Sequence, residues 1–599
     1  MTTLEKQAPK LSPQVSLGTP SSDQTYIQGL KYLWKIKNED DFLIRTIAHD
    51  HNISIPVAHV LYSRGHLDKE KIRSFLFSSY EKDVPHASGL KGIDIAVQRI
   101  LQAIENQEKI LIFGDYDVDG VTSSSLMLLA LIPLGAQINF YLPNRVKDGY
   151  GLSTKAVKRA AQNGFKLIIT VDNGITAQQA AQEAQELGID LIITDHHRPH
   201  GELPKALCII NPNQDDCPYP YKKLAGVGVT FKLMSLIYEL KNLSFPDKIY
   251  ELLTLGTIAD VVPLTGENRY WVRYGLSKIN KQTSLAFNVL AQNSSLSKSA
   301  YNSLDIGFMI APQINALGRL DDAREAVKFM ISSDLSDVER IGKILKEINE
   351  ARKKVDRTIY EEIEGAIINK SIDLERENII IAAHTDWPAG VIGLVAGKLM
   401  HNYGRPTLLF HLDNKEKVAK GSCRSIPEFN IFDALSEKKD ILLSFGGHSF
   451  AAGLKLKQED LPELKAHLEK RILDYVSPQD LQPKITLDAI LDLPEATQKL
   501  ITDIEPLEPF GNENPQPMFL IKNATLLNQA TLLKDKHLKC SIFSNGTIKQ
   551  IIFFNRPELL PLLNNIGDKS FHVAAYVTKN EWQGSVKIEL QGVDIAIQD

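Results

Sequence analysis

The sequence predicts a multidomain α/β protein in which a parallel sheet, a long helix, a smaller α/β domain and a β-rich domain follow one another. Three patterns indicate this order. Short apolar runs alternate with helix-like segments between residues 89 and 210, one proline-free helical repeat spans Ser336 to Ile368, and apolar and polar residues alternate after about residue 478. At 599 residues the chain is too long for a single core, so we expect roughly three or four domains.

The bulk composition narrows the class of protein. Charged residues make up 24% of the chain and apolar residues 43%, which is ordinary for a globular protein, and the formal net charge is -5. Because there is no overall basic excess, a site for a polyanion must be a local basic patch or a metal site. The four cysteines show no CxxC pairing, and no apolar stretch is long enough to span a membrane, so we expect a cytoplasmic protein.

The first α/β region carries apolar runs that are typical of buried parallel strands. These runs are Ile110–Phe113, Ile138–Leu142, Leu167–Val171, Leu191–Thr194 and Leu207–Ile210. In open parallel sheets, ligands bind beyond the carboxyl ends of the strands. Asp115, Asp172 and Asp195 each follow one of these runs, so we expect them to meet at one edge of the sheet.

Two acidic clusters at strand ends are the most informative motifs. The first is Gly114–Gly120 (GDYDVDG), and the second is Asp195–His197 (DHH). Like charges that are held close together repel one another, and a divalent cation reverses that balance. The alternative is that these are solvated turn residues, which would explain one such cluster better than two.

The residue types in these clusters suit a hard divalent ion. Mg²⁺ and Mn²⁺ prefer oxygen ligands, and Mn²⁺ also accepts imidazole. Asp260 interrupts an apolar run, where a buried charge needs a partner, and Asp195 is a candidate to orient His196. The candidate metal ligands, which are also candidate catalytic residues, are Asp115, Asp117, Asp172, His196 and Asp260. Two ions held there would activate water and stabilise a phosphoryl transition state.

Other enzyme motifs find no support in the sequence. A dinucleotide-binding fingerprint fails because Phe231 stands where a third glycine after Gly226 and Gly228 is needed. There is no P-loop sequence. Cys423 lacks the surroundings typical of a nucleophilic cysteine.

The second half of the chain changes character twice. The helical repeat from Ser336 to Ile368 predicts a helix that bridges two domains, although a helix packed within one domain is the alternative. A second α/β pattern follows from about Asn378 to Leu456. Beyond it, Leu538, Cys540 and Ile542 alternate with polar residues, which predicts a small β-barrel or sandwich.

The β-rich tail also carries aromatic and basic residues that could bind single strands by stacking and charge. The candidate stacking residues are Phe519, Phe553, Phe554, Tyr576 and Trp582, with Lys534, Lys536 and Lys539 as nearby positive charges. Most of these aromatic side chains are expected to belong to the core, so we expect one or two stacking residues at most.

These motifs resemble the DHH phosphoesterase superfamily and, within it, the RecJ family of single-stranded-DNA-specific 5′→3′ exonucleases. The GDYDVDG and DHH clusters, together with Ala259-Asp260, carry the resemblance to the superfamily. The resemblance to RecJ spans about residue 50 to the C-terminus. It rests on the motifs NALGR (315–319), GVIG (390–393), GSCRS (421–425), FGGH (445–448) and PFGNENP (509–515), and on the loop from Pro143 to Gly151.

The resemblance implies a fold and a domain order. We expect a flexible tail and N-terminal helical segment at 1–80, a parallel-sheet DHH catalytic domain at 81–310, a connecting helical segment at 311–372, a smaller α/β DHHA1 domain at 373–475, and an OB-like nucleic-acid-binding β-domain at 476–599.

The resemblance also implies roles for individual residues. His197 would contact the scissile phosphate, and Ser422 and Arg424 would hold a terminal 5′-phosphate. The implied substrate-binding residues are Asn315, Arg319, Lys398, Ser422, Arg424, Ser425 and His448. Two positions depart from the family pattern. Phe113 replaces a histidine of some relatives, which would weaken the second ion, and Lys398 replaces a frequent arginine, which gives a point charge instead of a bidentate fork.

The expected function is that of a metal-dependent exonuclease. The resemblance implies degradation of single-stranded DNA from the 5′ end to 5′-mononucleotides in DNA repair and recombination. It implies Mn²⁺ or Mg²⁺ as cofactor, and a helicase and a single-strand-binding protein as partners. The alternatives are a DHH-family oligoribonuclease or small phosphoesterase, and a non-catalytic RecJ-like single-strand-binding protein. The latter would be expected to have lost carboxylates that this chain keeps.

Overall fold

The computed structural model describes residues 24–143, 151–320, 323–582 and 585–597. The chain divides into two compact units. The larger unit consists of residues 70–482 and 505–516, and the smaller unit of the described parts of 1–69, 483–504 and 517–599. Within these described ranges, no helix is both long enough and apolar enough to cross a membrane.

The larger unit contains the predicted parallel sheet, which has five strands. In spatial order they are Gln137–Tyr141, Lys109–Gly114, Phe165–Val171, Asp190–Thr194 and Cys208–Ile210, and all neighbours run parallel. The predicted apolar runs are thus confirmed as strands. Ile110 and Ile112 face one apolar core, while Leu111 and Phe113 face another, because helices cover both faces of the sheet.

The helices of the larger unit connect and cover its sheets. In chain order they are Lys69–Leu76, Tyr80–Asp83, Ile93–Glu105, Val118–Leu131, Thr154–Gln162, Gln178–Glu186, Gly226–Leu240, Asp247–Ala259, Gly266–Lys281, Leu285–Asn293, Ser303–Asp305, Ala311–Leu320, Arg324–Ile331, Leu335–Ile368, Ile392–Tyr403, Ile431–Ser436 and Leu461–Tyr475. A π-helical segment, Ile306–Ile310, leads into Ala311–Leu320.

The helix Leu335–Ile368, which we call the bridging helix, confirms the long helical repeat. Its N-terminus is capped by Asp334, whose side chain accepts a hydrogen bond from the backbone N–H of Asp337 at 3.0 Å. Val338 near its start belongs to the core that covers the parallel sheet, whereas Ile359 near its end belongs to a second core. The helix therefore joins two cores, as predicted.

The second α/β pattern forms a five-stranded mixed sheet in the same unit. In spatial order its strands are Leu442–His448, Ala451–Lys457, Val418–Arg424, Thr407–Asp413 and Ile380–His384, and only the last two run parallel to each other. Leu408 and Leu409 on one strand face different cores. Helix Leu461–Tyr475 contributes to the first of these cores and Ile392–Tyr403 to the second.

The smaller unit contains a closed barrel, which confirms the predicted β-domain. The spatial order of its strands is Ala489–Ile490, Phe519–Leu526, Phe571–Trp582, Ser585–Ile597, Thr547–Phe553, His537–Ser544 and Thr531–Leu533. Strand Phe519–Leu526 also pairs with His537–Ser544, so five strands close on themselves. Leu538, Cys540 and Ile542 are buried, as their alternation predicts.

The N-terminal segment contains two strands ahead of the predicted helices, and the predicted tail falls on residues 1–23, which lie outside the described part of the chain. Strands Gln24–Gln28 and Leu33–Lys37 pair antiparallel, and the latter pairs in parallel with Lys484–Leu487. The partner of this strand lies about 450 residues later along the chain, and the strand itself shows only a short alternation of apolar and polar residues. The local sequence therefore gives little indication that a strand forms here. Helices complete the unit at Asp41–His51, Ile55–Ser63, Gln498–Ile504 and Leu559–Asn565.

The barrel aromatics are mostly core residues, as expected. Phe519 and Phe553 are buried, and Tyr576 is partly buried. Phe554 is 48% exposed and packs edge-on against His537. The side chain of Trp582 lies outside the described part of the chain, so Phe554 is the best-placed of the described candidates for stacking.

Candidate metal centre

The first acidic cluster lies where strand Lys109–Gly114 passes into helix Val118–Leu131. Asp117 caps this helix, because its Oδ1 accepts a hydrogen bond from the backbone N–H of Gly120 at 3.1 Å. A Cβ at Gly120 would lie 2.3 Å from the carbonyl oxygen of Asp115, so only glycine allows this close approach. The tight turn holds Asp115 and Asp117 on the same side, as the sequence predicts.

Asp172 follows the neighbouring strand Phe165–Val171 in a left-handed backbone conformation, with φ of 61°. This conformation is uncommon for a residue other than glycine, and such strain is typical of functional sites. The backbone N–H of Asp172 donates to the carbonyl oxygen of Thr194 at 3.1 Å, which fixes the turn. Gly226 approaches so closely that a Cβ there would lie 2.6 Å from the Cβ of Asp172.

Asp119 is a candidate ligand that the set predicted from the sequence omitted. Its carboxylate is fully buried and accepts hydrogen bonds from the backbone N–H groups of Gly226 and Val227, at 2.6 and 2.7 Å. These donors form the N-terminus of helix Gly226–Leu240, which stabilises a negative charge. The signal was present in the sequence, since Asp119 is the third carboxylate of GDYDVDG.

His196 brings the remaining ligands together. Its Nε2 lies 3.2 Å from Asp172 Oδ1, 3.5 Å from Asp260 Oδ2 and 4.0 Å from Asp119 Oδ2. Three groups of residues each have ligand atoms within 4.8 Å of one another. The first is formed by Asp119, His196 and Asp260, the second by Asp115, Asp117 and Asp172, and the third by Asp172, His196 and His197. We call the six residues of the first two groups the acidic centre. All five ligands predicted from the sequence are members of it.

Burial and mutual repulsion raise the pKa values of the carboxyl groups in the acidic centre. Burial is the larger cause for Asp115 and Asp172, whose pKa values lie well above the ordinary range. Burial, with the charge of Asp260, raises the pKa of Asp119 to about 7. Burial, with the charge of Asp117, raises the pKa of Asp260 to about 8. The acidic centre is therefore unfavourable when it is fully ionised without a cation.

The donor set fits a divalent cation. Three ligand atoms, Asp172 Oδ1, His196 Nε2 and Asp260 Oδ2, are buried and have no hydrogen-bond partner among the described residues. Such unpartnered buried atoms are costly unless a ligand satisfies them. Carboxylate oxygens with one imidazole suit Mn²⁺, and the carboxylates alone suit Mg²⁺.

The surroundings shift the pKa values of the two adjacent histidines in opposite directions. Burial, followed by the charge of His197, lowers the pKa of His196, which favours the neutral imidazole that a metal needs. Burial would also lower the pKa of His197, but its hydrogen bond with Asp195 and the nearby carboxylates raise it to about 9. His197 Nδ1 lies 2.7 Å from Asp195 Oδ1. Asp195 Oδ1 also accepts a hydrogen bond from the backbone N–H of His196 at 2.7 Å, so the predicted partner of His196 contacts its backbone, whereas the ring with which Asp195 pairs is that of His197.

One further predicted position, Asn315, contacts this region. Asn315 Oδ1 accepts a hydrogen bond from the backbone N–H of Val118 at 3.1 Å, so its side chain supports the first acidic cluster. The side chain of Arg319 lies outside the described residues, as do 144–150 of the predicted loop. Phe113 is buried, and its ring stacks on that of Tyr141 with 5.5 Å between the ring centroids, which places an apolar ring directly before the first acidic cluster.

Ser422 and Arg424 lie at one end of strand Val418–Arg424 in the mixed sheet. Arg424 Nη1 donates to the carbonyl oxygen of Cys423 at 2.8 Å and lies 3.4 Å from Ser422 Oγ. A Cβ at Gly393, in the first turn of helix Ile392–Tyr403, would lie 2.7 Å from Ser422 Oγ and 3.4 Å from Arg424 Nη2. We call Gly393, Ser422 and Arg424 the phosphate corner, because a helix N-terminus, a hydroxyl and a guanidinium together suit a phosphate.

The other predicted substrate contacts differ in accessibility. Ser425 is buried and donates its hydroxyl to the carbonyl oxygen of Phe429 at 2.6 Å, so a ligand contact would first require that bond to break. Lys398 Nζ lies 2.7 Å from Asp356 Oδ1 on the bridging helix, although the lysine side chain is half exposed. His448 is exposed at the end of strand Leu442–His448.

Comparison with known proteins assigns the regions to families. The DHH family N-terminal domain matches residues 109–257, the DHHA1 domain matches 376–474, and the RecJ OB domain matches 487–594. The single-stranded-DNA-specific exonuclease RecJ of Bacillus subtilis is 37% identical over 95% of this chain and 71% of its own length. The RecJ protein of Escherichia coli is 32% identical over 84% of this chain and 89% of its own length.

The fold comparison agrees with the sequence comparison. The crystal structure of RecJ from Thermus thermophilus in complex with Mn²⁺ matches with a TM-score of 0.78 and 26% identity, covering 94% of this chain and 80% of that one. The corresponding Mg²⁺ complex matches with a TM-score of 0.73 and 25% identity, covering 94% and 78% of the two chains. The Thermus thermophilus protein of this fold therefore binds the two ions that the acidic centre suits.

Proposed function

The chain belongs to the RecJ family of single-stranded-DNA-specific exonucleases, and from this premise we propose that it hydrolyses single-stranded DNA from the 5′ end to 5′-mononucleotides. The observation that carries the proposal is the acidic centre, in which buried ligand atoms face one another and have no hydrogen-bond partner among the residues that the structure describes. Divalent cations bound there would supply Lewis acidity and make water a nucleophile near neutral pH.

The residues of the acidic centre divide the work of holding these cations. Asp172 lies within 4.8 Å of both Asp115 and Asp117 through its ligand atoms, and its Oδ1 approaches His196 at 3.2 Å, so it would bridge two ions. Asp119 is fixed by two backbone N–H groups, which leaves its carboxylate no freedom to turn away. Preorganised ligands of this kind need no rearrangement when the substrate arrives.

His197 would act on the substrate phosphate. In the metal-free protein its hydrogen bond with Asp195 and the nearby carboxylates raise the pKa of its imidazole to about 9, and the same hydrogen bond fixes the orientation of the ring. A fixed positive charge next to the reacting phosphate stabilises the negative charge that develops on the phosphoryl oxygens. This role requires His197 to be protonated and His196 to be neutral, which are the states that their surroundings favour.

The direction of digestion would follow from the phosphate corner. A terminal 5′-phosphate bound by Ser422 Oγ and Arg424 would fix which end of the strand enters, while the scissile phosphodiester lies at the acidic centre. Lys398 and His448 would contact the strand nearby. We also propose that the space between the two α/β domains admits one strand and excludes a duplex, so that strand selectivity is steric.

The experiment compares digestion of 5′-end-labelled and 3′-end-labelled single strands, with duplex DNA and RNA as controls, in Mn²⁺, Mg²⁺ or EDTA. We expect immediate release of the 5′ label as mononucleotide from single-stranded DNA, and no release in EDTA. Strands with a 5′-phosphate should be preferred over strands with a 5′-hydroxyl. Arg424→Ala should remove that preference, with a loss of roughly tenfold or more on the phosphorylated strand.

Lys457→Ala is the matched control, because it removes a positive charge from the neighbouring strand at the end far from Arg424. This variant should keep the preference. If Arg424→Ala behaves like Lys457→Ala, the phosphate corner does not select the end. Release of the 3′ label first would contradict the polarity, cleavage of very short RNA alone would favour the small phosphoesterase alternative, and tight binding without cleavage would favour a binding protein.

The cellular role is a further part of the proposal. Participation in DNA repair and recombination, a helicase that supplies single strands, and a single-strand-binding protein that delivers them would each suit an enzyme that cannot open a duplex. A cytoplasmic location is supported by the four buried cysteines, all of which are free thiols. Copurification of the full chain with single-stranded DNA-processing proteins would test these partners.

A further inference from the structure

The turn that carries Asp260 is conformationally strained. Asp260 ends helix Asp247–Ala259, and the next residue, Val261, has a φ of 58°. This left-handed position after a helix is usually occupied by glycine, because a β-branched side chain crowds the backbone there. The side chain of Val261 is 63% exposed, so apolar packing does little to hold it in place. Some other contact must fix the turn.

Asn512 provides that contact. Its side-chain Nδ2 donates a hydrogen bond to the backbone carbonyl oxygen of Val261 at 2.8 Å. Its backbone carbonyl oxygen accepts a hydrogen bond from the backbone N–H of Leu264 at 2.9 Å. The two bonds bracket residues 261–264 directly after the metal ligand Asp260. Gly511 packs so tightly against Leu264 that a Cβ there would lie 2.6 Å from Leu264 Cδ1.

The segment that presents Asn512 is rigid. Gly511 and Asn514 exchange backbone hydrogen bonds at 2.8 and 3.1 Å, which closes a tight turn around Asn512. The buried Asn514 side chain donates to the carbonyl oxygens of Leu507 and Pro509, both at 2.8 Å. The fully buried Arg269 donates to the carbonyl oxygens of Pro506 and Leu507. Asn512 therefore stands on a fixed support within the larger unit.

We propose that Asn512 is a positioning residue for the metal centre: by holding Val261 in its strained conformation, it keeps the carboxylate of Asp260 aimed at His196. The inference deepens the proposed function, because it rests on Asp260 being a metal ligand. It assigns a specific task to the PFGNENP motif, which lies about 250 residues from Asp260 in the sequence. Residues that orient metal ligands typically change metal affinity when they are removed.

The test measures Mn²⁺ binding to the full chain by titration calorimetry, with thermal unfolding without metal as a second readout. Asn512→Ala should weaken Mn²⁺ binding by roughly tenfold. Glu513→Ala is the matched control, since it breaks the exposed ion pair with Lys223 in the same turn without touching Val261, and its affinity should stay within about twofold. Nuclease activity of Asn512→Ala should recover as Mn²⁺ is raised.

A rescue variant separates positioning from general loss of structure. Val261→Gly relieves the strained conformation, so in the Asn512→Ala background it should restore Mn²⁺ affinity to within about twofold of the wild type. Should Asn512→Ala fail to fold, the double variant must still fold and bind Mn²⁺.

Three results would overturn the inference: unchanged affinity in Asn512→Ala, an equal loss in Glu513→Ala, or no rescue by Val261→Gly. If every variant binds as expected but even the wild type cleaves no DNA, the proposed function fails while the positioning role stands.

Discussion

The acidic centre gathers carboxylates and a histidine at the buried edge of a parallel sheet, whereas the phosphate corner sets one serine and one arginine on a partly exposed strand end. In the acidic centre, burial and repulsion raise pKa values and leave ligand atoms without hydrogen-bond partners. In the phosphate corner, Arg424 already donates to a backbone carbonyl oxygen. The first region is thus unfavourable until a cation binds, and the second is stable by itself.

Because of this difference, substitutions in the acidic centre must be tested with and without metal, whereas substitutions in the phosphate corner can be judged from substrate preference. A change in the acidic centre should alter metal binding, stability and catalysis together. A change in the phosphate corner should alter substrate preference alone, because none of its residues is a candidate ligand of the cations. The following substitutions test that separation, from the largest expected effect to the smallest.

Asp172→Asn should reduce nuclease activity by at least about 1,000-fold, since Asp172 belongs to two of the three groups of ligand atoms. The same change removes one buried charge from a repelling cluster, so the metal-free protein should unfold at a higher temperature than the wild type. Thermal scans with and without Mg²⁺ check both parts. A variant that still gains stability from Mg²⁺ as the wild type does would contradict the bridging role.

His197→Ala should lower kcat by about 100-fold while the affinity for Mn²⁺ changes little. The reason is that the positively charged imidazole of His197 acts on the substrate phosphate and does not hold the metal. Single-turnover digestion at saturating Mn²⁺ measures the first quantity, and calorimetry measures the second. His200→Ala, an exposed histidine of the same loop, should leave both unchanged. A loss of Mn²⁺ affinity as large as the loss of kcat would instead make His197 a ligand.

Mg²⁺ affinity should fall about tenfold between pH 7.5 and pH 6.5, since protons compete for Asp260, whose pKa is raised to about 8. The stability of the metal-free protein should change with pH in the opposite direction to the Mg²⁺ affinity. Carboxyl groups with raised pKa values bind more protons when folded than when unfolded, so the metal-free protein should lose stability as the pH rises through 7 to 8.

Unfolding temperatures at pH 6.5 and 8.5, each with and without Mg²⁺, measure this linkage. Mg²⁺ should stabilise the protein more at pH 8.5. Equal stabilisation at both pH values would show that the carboxyl groups of the acidic centre are already ionised at pH 6.5. The Asp172→Asn variant serves as the control without a complete site.

Ser422→Ala should have the smallest effect, a loss of roughly three- to fivefold in the preference for a 5′-phosphorylated strand, because one neutral hydroxyl donor is removed. Mg²⁺ affinity and thermal stability should not change. Competition between 5′-phosphorylated and 5′-hydroxyl strands gives the preference directly. A change in Mg²⁺ affinity here would break the separation between the two regions.

Local patterns predicted the features that depend on neighbours in sequence. The strands of the parallel sheet, the bridging helix and the alternation in Leu538, Cys540 and Ile542 follow from periodic burial within one element. Asp115 and Asp117 were found because a strand end and a helix cap place them together within three residues. The role of His448, Lys398 and Ser425 in substrate binding stays a prediction.

The sequence by itself therefore determined the fold class, the strands of the parallel sheet, the bridging helix and most of the candidate metal ligands, since each depends on short-range geometry. Only the tertiary structure decided that Asp119 lies among the candidate ligands, that Asp195 pairs with His197, and that Asn512 bonds to Val261. It also decided that Leu33–Lys37 pairs with Lys484–Leu487. The physical reason is that hydrogen bonds and burial between distant segments depend on how the chain closes, and no local period of the sequence encodes that closure.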